Sequence, residues 1–140
     1  MMGNDPFLLD ALDGAVRELG CAVVLRAVVT HREHLERSGF GAGDDGLLHN
    51  PQKDALAGAL GRHDRAGELD LVLTNSRLLM ALMNAPGSIP FLEIGFPSYY
   101  THALFERPFL GYRGVLKLVE SMANTMSRVA VERAARGESR

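Results

Sequence analysis

Hydrophobic and polar residues follow two different periods along the chain, and each period predicts a type of element. In "PFLLDALDGAVREL" the apolar residues recur every three or four positions, which predicts an amphipathic helix. Asn4 or Asp5 can cap this helix ahead of Pro6, which suits the first helical position. Gly20 follows the last apolar residue and ends the helix. The next run, "CAVVLRAVV" over residues 21–29, is apolar and β-branched, so it predicts a strand buried on both faces.

The rest of the chain alternates further helices with further apolar runs. Helices are predicted near residues 31–38 and 51–62, after the turn at Asn75 and Ser76, and from Val115 towards the charged tail. Strands are predicted at residues 69–73 and 89–94. Alternating strands and helices indicate a parallel sheet with crossover helices. The predicted fold is therefore α/β, a Rossmann-like three-layer domain with a long C-terminal helix.

The first strand of such a domain is largely missing from the pattern. Only residues 1–3 precede the first helix, and they can supply no more than the last step of a strand. In the usual doubly wound order this strand lies in the middle of the sheet, so its absence leaves the neighbouring strands with unpaired edges. We expect residues 1–140 to be a single domain that is a fragment of a longer subunit, or a domain whose gap another segment or chain fills.

Composition and charge exclude several function classes. The 140 residues carry a formal net charge of -2, which gives no electrostatic reason to expect nucleic acid or an anionic membrane as a partner. Cys21 is the single cysteine, so the chain can form no internal disulfide and cannot hold a cluster with four thiolates. The sequence has neither a signal peptide nor an apolar run of twenty residues, and we expect a cytoplasmic protein.

Motifs for nucleophilic, phosphate or metal chemistry are absent from the sequence. His31 and His34 have helical spacing, but their charged neighbours indicate a solvated helix face rather than a metal site. Cys21 begins an apolar strand, where a buried and inert thiol is expected. Ser76 follows a strand and is expected to cap a helix rather than to act as a nucleophile.

One long segment, "GFPSYYTHALFERPFLGYRG" over residues 95–114, follows the last predicted strand. It has no helical or strand period, and it combines several aromatic residues with Arg107 and His102. Ligands and partners meet open parallel sheets at the carboxyl ends of the strands, where this segment lies. It is either a contact and pocket surface or a small satellite core that covers the end of the sheet.

The order of several short motifs resembles one known family, the nitrogenase component 1-type oxidoreductases. The resemblance rests on "DLVLTNS", "IPFLEIGFP", "RPFLGYRG" and "LVESMANTM", together with the opening "GNDPFLLDALDGAVRELGC". The motif positions are Asp70, Asn75, Ser76, Ile89, Pro90, Gly95, Phe96, Pro97, Gly111, Tyr112, Gly114 and Asn124. The family includes nitrogenase subunits, cofactor-assembly scaffolds and dark-operative protochlorophyllide reductases, and the chain resembles its C-terminal domain.

The resemblance implies a role within a larger complex. Subunits of this family pair with a homologous component 1 subunit and accept electrons from an ATP-dependent iron–sulfur reductase. They act with an iron–sulfur cluster, a metallocluster or a tetrapyrrole. The cysteines that hold the intersubunit cluster belong to another domain of the family. The chain alone therefore carries no cofactor by this resemblance.

The chain also departs from the family at one position. Nitrogenase α-type subunits place a metal-binding histidine directly before the G-Y-x-G motif, where this sequence has Leu110. His102 lies too early in the segment to replace it. The chain thus resembles the β-type or a divergent branch, and no metal or catalytic residue is carried over. The residues expected to form a pocket wall are Gly95, Phe96, Pro97, His102, Arg107 and Tyr112.

Two functional hypotheses follow from the sequence. In the first, the chain is part of a nitrogenase-like component 1 subunit, either a reductase or an assembly scaffold, and supplies subunit contacts and a pocket wall. It is not catalytic alone, and whether it belongs to an enzyme stays open. In the second, it is a free-standing Rossmann-like module that binds a small molecule or a protein.

Overall fold

Five parallel strands form the sheet of this domain, in the order β3-β2-β1-β4-β5. The computed structural model describes residues 1–44, 46–76, 78–79, 89–95 and 111–137. The strands are β1 Met2–Gly3, β2 Ala27–Val28, β3 Leu48–His49, β4 Val72–Thr74 and β5 Phe91–Glu93. The helices with described bounds are α1 Pro6–Glu18, α2 Arg32–Ser38, α3 Lys53–Arg65 and α4 Gly111–Ala135. The predicted Rossmann-like parallel fold with a long C-terminal helix is confirmed.

The two-residue strand β1 occupies the centre of the sheet. Met2 pairs with Ala27 of β2 on one side and with Thr74 of β4 on the other. Its side chain is fully buried. The residues that precede the first helix therefore form a strand of two residues, the same length as β2 and β3.

The strand predicted over residues 21–29 is much shorter in the structure. Only Ala27–Val28 is a strand, and the prediction was wrong for the residues before it. A parallel strand exists only where a neighbour supplies hydrogen bonds. Residues 21–25 lie ahead of the level of Met1, where β1 has no residues to pair with them. The prediction of a buried Cys21 was also wrong, because its side chain is exposed.

Local capping chemistry explains where α1 begins and ends. The Asp5 Oδ1 atom accepts hydrogen bonds from the backbone N–H groups of Phe7, at 3.0 Å, and Leu8, at 3.1 Å. Pro6 occupies the first turn, where its missing N–H costs nothing. Gly20 has a φ of 80°, which lets the chain leave the helix. Of the two residues predicted as possible caps, Asn4 and Asp5, it is Asp5 that caps α1.

The sheet separates two hydrophobic clusters. On one face, α3 packs Leu56 and Leu60 against Met2, Ala27 and the start of β4. On the other face, α1 and α4 cover the sheet with the buried residues Leu9, Leu12, Val16 and Leu118. Among the described residues, no helix is both long and apolar enough to cross a membrane.

Candidate functional site

The carboxyl ends of β1 and β4 lie side by side, and the chain changes direction across the sheet at this point. After β1 the chain continues to β2 and β3 on one side, whereas β4 and β5 lie on the other side. Helices that leave two such strands diverge, and the crevice between them is the usual ligand site of open parallel sheets. Asn4 follows β1 here, and Asn75 and Ser76 follow β4.

Asn75 ties the ends of these two strands together. Its Nδ2 atom donates to Asn4 Oδ1 at 2.6 Å. Its Oδ1 atom accepts from the backbone N–H of Leu78 at 3.1 Å, and its carbonyl accepts from that of Leu79 at 3.0 Å. Asn75 is therefore the N-cap of the helical turn that follows β4. The oxygen of its side-chain amide accepts the capping hydrogen bond, and the nitrogen of the same amide donates to Asn4.

Ser76 lies one residue beyond the cap. The expectation that Ser76 itself caps the helix was wrong, because Asn75 takes that position. The Ser76 hydroxyl donates to Glu93 Oε1 at the end of β5, and Ser76 has no exposed surface. This contact links the ends of β4 and β5.

Replacing Asn75 by Ala should lower the free energy of unfolding by about 1–2 kcal/mol, because the cap and the contact with Asn4 are both lost. Urea denaturation of the wild type, Asn75→Ala, Asn4→Ala and the double variant measures the two contributions. If the Asn4 contact matters, the double variant will be less destabilised than the sum of the single variants. Strictly additive effects would show that Asn75 acts through the cap alone.

A second polar group fastens the other half of the same edge. Asn50, just after β3, has a φ of 47°, a left-handed conformation that asparagine tolerates better than most residues. Its Oδ1 accepts from Thr30 N–H at 3.1 Å, and its Nδ2 donates to Thr30 O at 3.1 Å. His49 Nε2 also hydrogen-bonds to Thr30 O, at 2.9 Å. The carboxyl edge is thus held by side-chain amides on both sides of β1.

Comparison with known proteins now decides the family. The family model for nitrogenase component 1 type oxidoreductases matches residues 1–127. The chain belongs to this family. The resemblance found from the sequence motifs is confirmed.

Individual relatives match shorter segments. The chain is 37% identical over 59 residues to the nitrogenase iron-iron protein beta chain of Rhodobacter capsulatus, which covers 42% of this chain and 12% of the relative. It is 36% identical over 61 residues to the nitrogenase vanadium-iron protein beta chain of Trichormus variabilis, covering 43% and 12%. The chain thus matches a small part of these curated relatives. A solved structure of nitrogenase Cp1 at pH 6.5 has the same fold, with a TM-score of 0.62, 22% identity, and coverage of 92% of this chain and 28% of that chain.

The described residues of this component 1-type domain were expected to carry no metal ligand by the resemblance. No group of three or more His, Cys, Asp or Glu side chains among them could hold a metal ion. Cys21 precedes β2, at the amino edge of the sheet and away from the strand ends described above. His31 and His34 are exposed on or beside α2, as predicted for a solvated face, with ring centroids 6.0 Å apart.

The predicted pocket wall falls partly within the described residues. Gly95 follows β5 with a φ of 76°, so the chain turns there through a left-handed conformation. Tyr112 lies in the first turn of α4, and 80% of its surface is exposed. Phe96, Pro97, His102 and Arg107 lie outside the described residues.

The long helix α4 has two rows of apolar residues, one packed against the sheet and one exposed. The spacing of apolar residues in the sequence did not distinguish the two rows. Leu118 is buried against the sheet, but Val119 and Met126, which share the same apolar pattern, are 38% and 44% exposed. With Tyr112 and Leu116 they recur at intervals of three, four and seven residues, the spacing of a helix–helix contact seam. This seam, residues 112, 116, 119 and 126, is called the α4 seam below.

The amino edge of the sheet contains a buried arginine that is paired with two carboxylates. The buried guanidinium of Arg26 donates from Nε to Asp13 Oδ1 at 3.0 Å and from Nη1 to Asp44 Oδ2 at 2.6 Å. The Met1 amino group donates to Leu25 O at 2.7 Å. Burial, with a smaller contribution from Arg26, lowers the pKa of this amino group to about 5.

Proposed function

We propose that the chain is a domain of a nitrogenase-like component 1 subunit, either a reductase or a cofactor-assembly scaffold, in the cytoplasm. The observation that carries this proposal is the family match over residues 1–127. The domain contributes subunit contacts and one wall of a pocket. The homologous component 1 subunit and an ATP-dependent iron–sulfur reductase are its partners, and the rest of the subunit supplies the ligands of an iron–sulfur cluster, metallocluster or tetrapyrrole.

The α4 seam supports the contact role. Isolated domains leave single apolar residues exposed, but a regular row along one helix is typical of a surface that packs against another helix. Tyr112, Leu116, Val119 and Met126 form such a row on the longest helix of the described residues. The seam is therefore the surface that we assign to contact with the homologous subunit.

The carboxyl edge supports the pocket role. The amides of Asn50 and Asn75 fix the strand ends on both sides of β1, so the edge is rigid before any ligand arrives. Gly95 starts the segment that begins at this edge. A preorganised edge suits a pocket wall that positions a group held by other residues. The proposed role of this chain is therefore positioning, and the reacting groups belong to the rest of the complex.

Association with a component 1-type subunit tests this proposal. The tagged chain is produced in Rhodobacter capsulatus under conditions that express the iron-iron nitrogenase, and it is purified without oxygen. A component 1-type subunit should co-purify with it. Leu116→Glu should weaken this association by roughly tenfold or more, because a charge enters the α4 seam. Asn124→Glu places the same charge on α4 outside the seam and should leave the association unchanged.

Two outcomes would contradict the proposal. Equal association of both variants would remove the α4 seam as the contact surface. If the chain associated with no component 1-type subunit and remained a monomer, the result would favour the free-standing binding module instead. Iron is measured on the same samples. One or more tightly bound iron atoms per isolated chain would show that the chain holds a cluster of its own.

A further inference from the structure

The long helix α4 buries little of its surface against its own domain. Of its 25 residues, Gly114 and Leu118 are fully buried. The α4 seam lies on another side of the helix, and two exposed alanines, Ala123 and Ala130, continue the same row. A helix that packs against one domain alone normally has polar residues on its outward face. The outward face of α4 is instead suited to a partner.

The spacing of the exposed row identifies the kind of partner. Its six positions are 112, 116, 119, 123, 126 and 130, with intervals that alternate between four and three residues. This alternation is the seven-residue repeat of helices that pack side by side in coiled coils. The row is about 27 Å long at the usual rise of an α-helix. The partner that fits it is a second helix of similar length.

Large and small side chains are unevenly distributed along the row. Tyr112 and Leu116 lie at its N-terminal end, whereas the two alanines lie in its middle and at its C-terminal end. In an antiparallel pair of two α4 helices, the facing residues are Tyr112 and Ala130, Leu116 and Met126, and Val119 and Ala123, each pair formed twice. Every alanine then faces a larger side chain, which is how facing side chains reach native packing density. The row is therefore complementary to a second copy of itself.

Other arrangements of two copies fit less well. A parallel pair places Tyr112 against Tyr112 and each alanine against an alanine, so that the tyrosines hold the helices apart and voids remain between the alanines. An antiparallel pair shifted by seven residues places Arg133 against Leu116 and brings a charge into the apolar row. The first antiparallel register keeps every facing pair apolar.

The charged residues nearest the centre of this pair are compatible with the same register. The two-fold axis passes at the level of residue 121, so Lys117 and Glu120 of both copies lie near it. Within each helix Lys117 Nζ lies 2.9 Å from Glu120 Oε2. The two positive and two negative charges therefore balance at the axis. The antiparallel direction also brings opposite ends of the two helix dipoles together.

We propose that two copies of this chain pair through α4 in this antiparallel register. The inference rests on the proposed function in that both use the α4 seam as a contact surface, and it names a second copy of the chain as an occupant of that seam. One row holds one helix, so the second copy and the homologous subunit exclude each other. Self-association thus covers the contact surface while the homologous subunit is absent.

Disulfide formation between two labelled positions tests the register on the full 140-residue chain. The single cysteine is first replaced, Cys21→Ser. A Tyr112→Cys chain and an Ala130→Cys chain with tags of different length are then mixed under mild oxidation. The mixed disulfide should form about tenfold or more faster than a disulfide in either chain alone, because equal positions of the two copies lie about 27 Å apart in the antiparallel pair.

Exchange of large and small side chains tests the complementarity. Sedimentation equilibrium of the wild type should show a dimer with a dissociation constant in the micromolar range. Tyr112→Ala and Ala130→Tyr should each weaken self-association by about tenfold or more, because one removes contacts and the other makes two tyrosines collide. The double variant restores one large and one small residue in each pair, and its dissociation constant should return to within about threefold of the wild type.

A matched control makes the same change outside the row. Ala135→Tyr alters an exposed position of α4 that does not face the second copy, and it should leave self-association unchanged. Thermal melts of all variants verify that they fold, which is expected because the substituted side chains are exposed.

Several results would overturn the inference. A wild-type chain that stays a monomer at millimolar concentration would remove the dimer. Rapid disulfide formation by the Tyr112→Cys chain alone would show a parallel pair, and a double variant no better than Ala130→Tyr would show that another surface is used. A monomer that still captures a component 1-type subunit would leave the proposed function standing. A dimer with the expected mixed disulfide that captures no such subunit would contradict the proposed function alone.

Discussion

Raising the pH from 5 to 8 should increase the free energy of unfolding of the 140-residue chain by about 3 kcal/mol, with a slope of at most about 1.4 kcal/mol per pH unit. The cause is the Met1 amino group, which burial keeps uncharged in the folded state. Its pKa is lowered from 8.0 to about 5 on folding. Between these values the unfolded chain binds more protons than the folded chain, so stability rises with pH. Below both values the penalty is complete, and above both it vanishes.

Acetylation of the Met1 amino group provides the matched control. The acetyl amide is neutral at every pH and still donates one N–H to Leu25 O. A cavity of about 300 Å³, lined by Met1, residues 20–25 and residues 68–73, has room for the added group. Urea denaturation of both forms at pH 5, 6, 7 and 8, values that span the shift, gives a difference curve in which other titrating groups cancel. Parallel curves for the two forms would contradict the burial of the amino group.

Replacing Gly95 by Val should lower the free energy of unfolding by roughly 1–3 kcal/mol. Two causes act together. The φ of 76° is costly for any residue with a Cβ atom, and most costly for a β-branched one. A Cβ atom at this position would also lie 3.1 Å from Leu8 Cδ2 on α1.

Substitutions at two other glycines separate the cost of backbone strain from the cost of the contact with Leu8. Gly20 has a φ of 80°, and a Cβ atom added there would have no neighbouring atom within 4 Å, so Gly20→Val measures the backbone strain alone. Gly14 lies inside α1 with open space around it, and Gly14→Ala should stabilise the chain by about 0.5–1 kcal/mol. Thermal melts of the three variants give the comparison. An unchanged melting temperature for Gly95→Val would contradict the assigned conformation of Gly95.

Features that depend on residues close to one another in the sequence were predictable from the sequence. The cap at Asp5, the start of α1 at Pro6 and the long helix α4 follow from capping chemistry and helical spacing. Strand lengths were not predictable. Residues 21–25 have the composition of a strand but pair with no strand among the described residues, because strand formation depends on residues elsewhere in the chain. The strand β3 was missed, since its two residues lie within a polar, glycine-rich stretch.

The candidate site shows the same division. The sequence located the turn at Asn75 and Ser76, and the resemblance included both residues in its motifs. It did not predict that Asn75 reaches Asn4 or that Ser76 reaches Glu93, because these contacts join separate strands that only the folded sheet brings together. The sequence contained one indication of the role of Asn50, since this asparagine directly follows Leu47, Leu48 and His49. An asparagine at such a position can adopt the left-handed conformation that the structure shows.

The central position of β1 has a consequence for how the chain folds. Met2 must find Ala27 and Thr74, so the strand that joins the two halves of the sheet depends on partners distant in sequence. Closing such long loops has an entropic cost before the contacts form, and topologies with many distant contacts fold slowly. The helices α1 and α3 can form from local contacts, whereas the join at Met2 is expected late, as a slow kinetic phase in refolding.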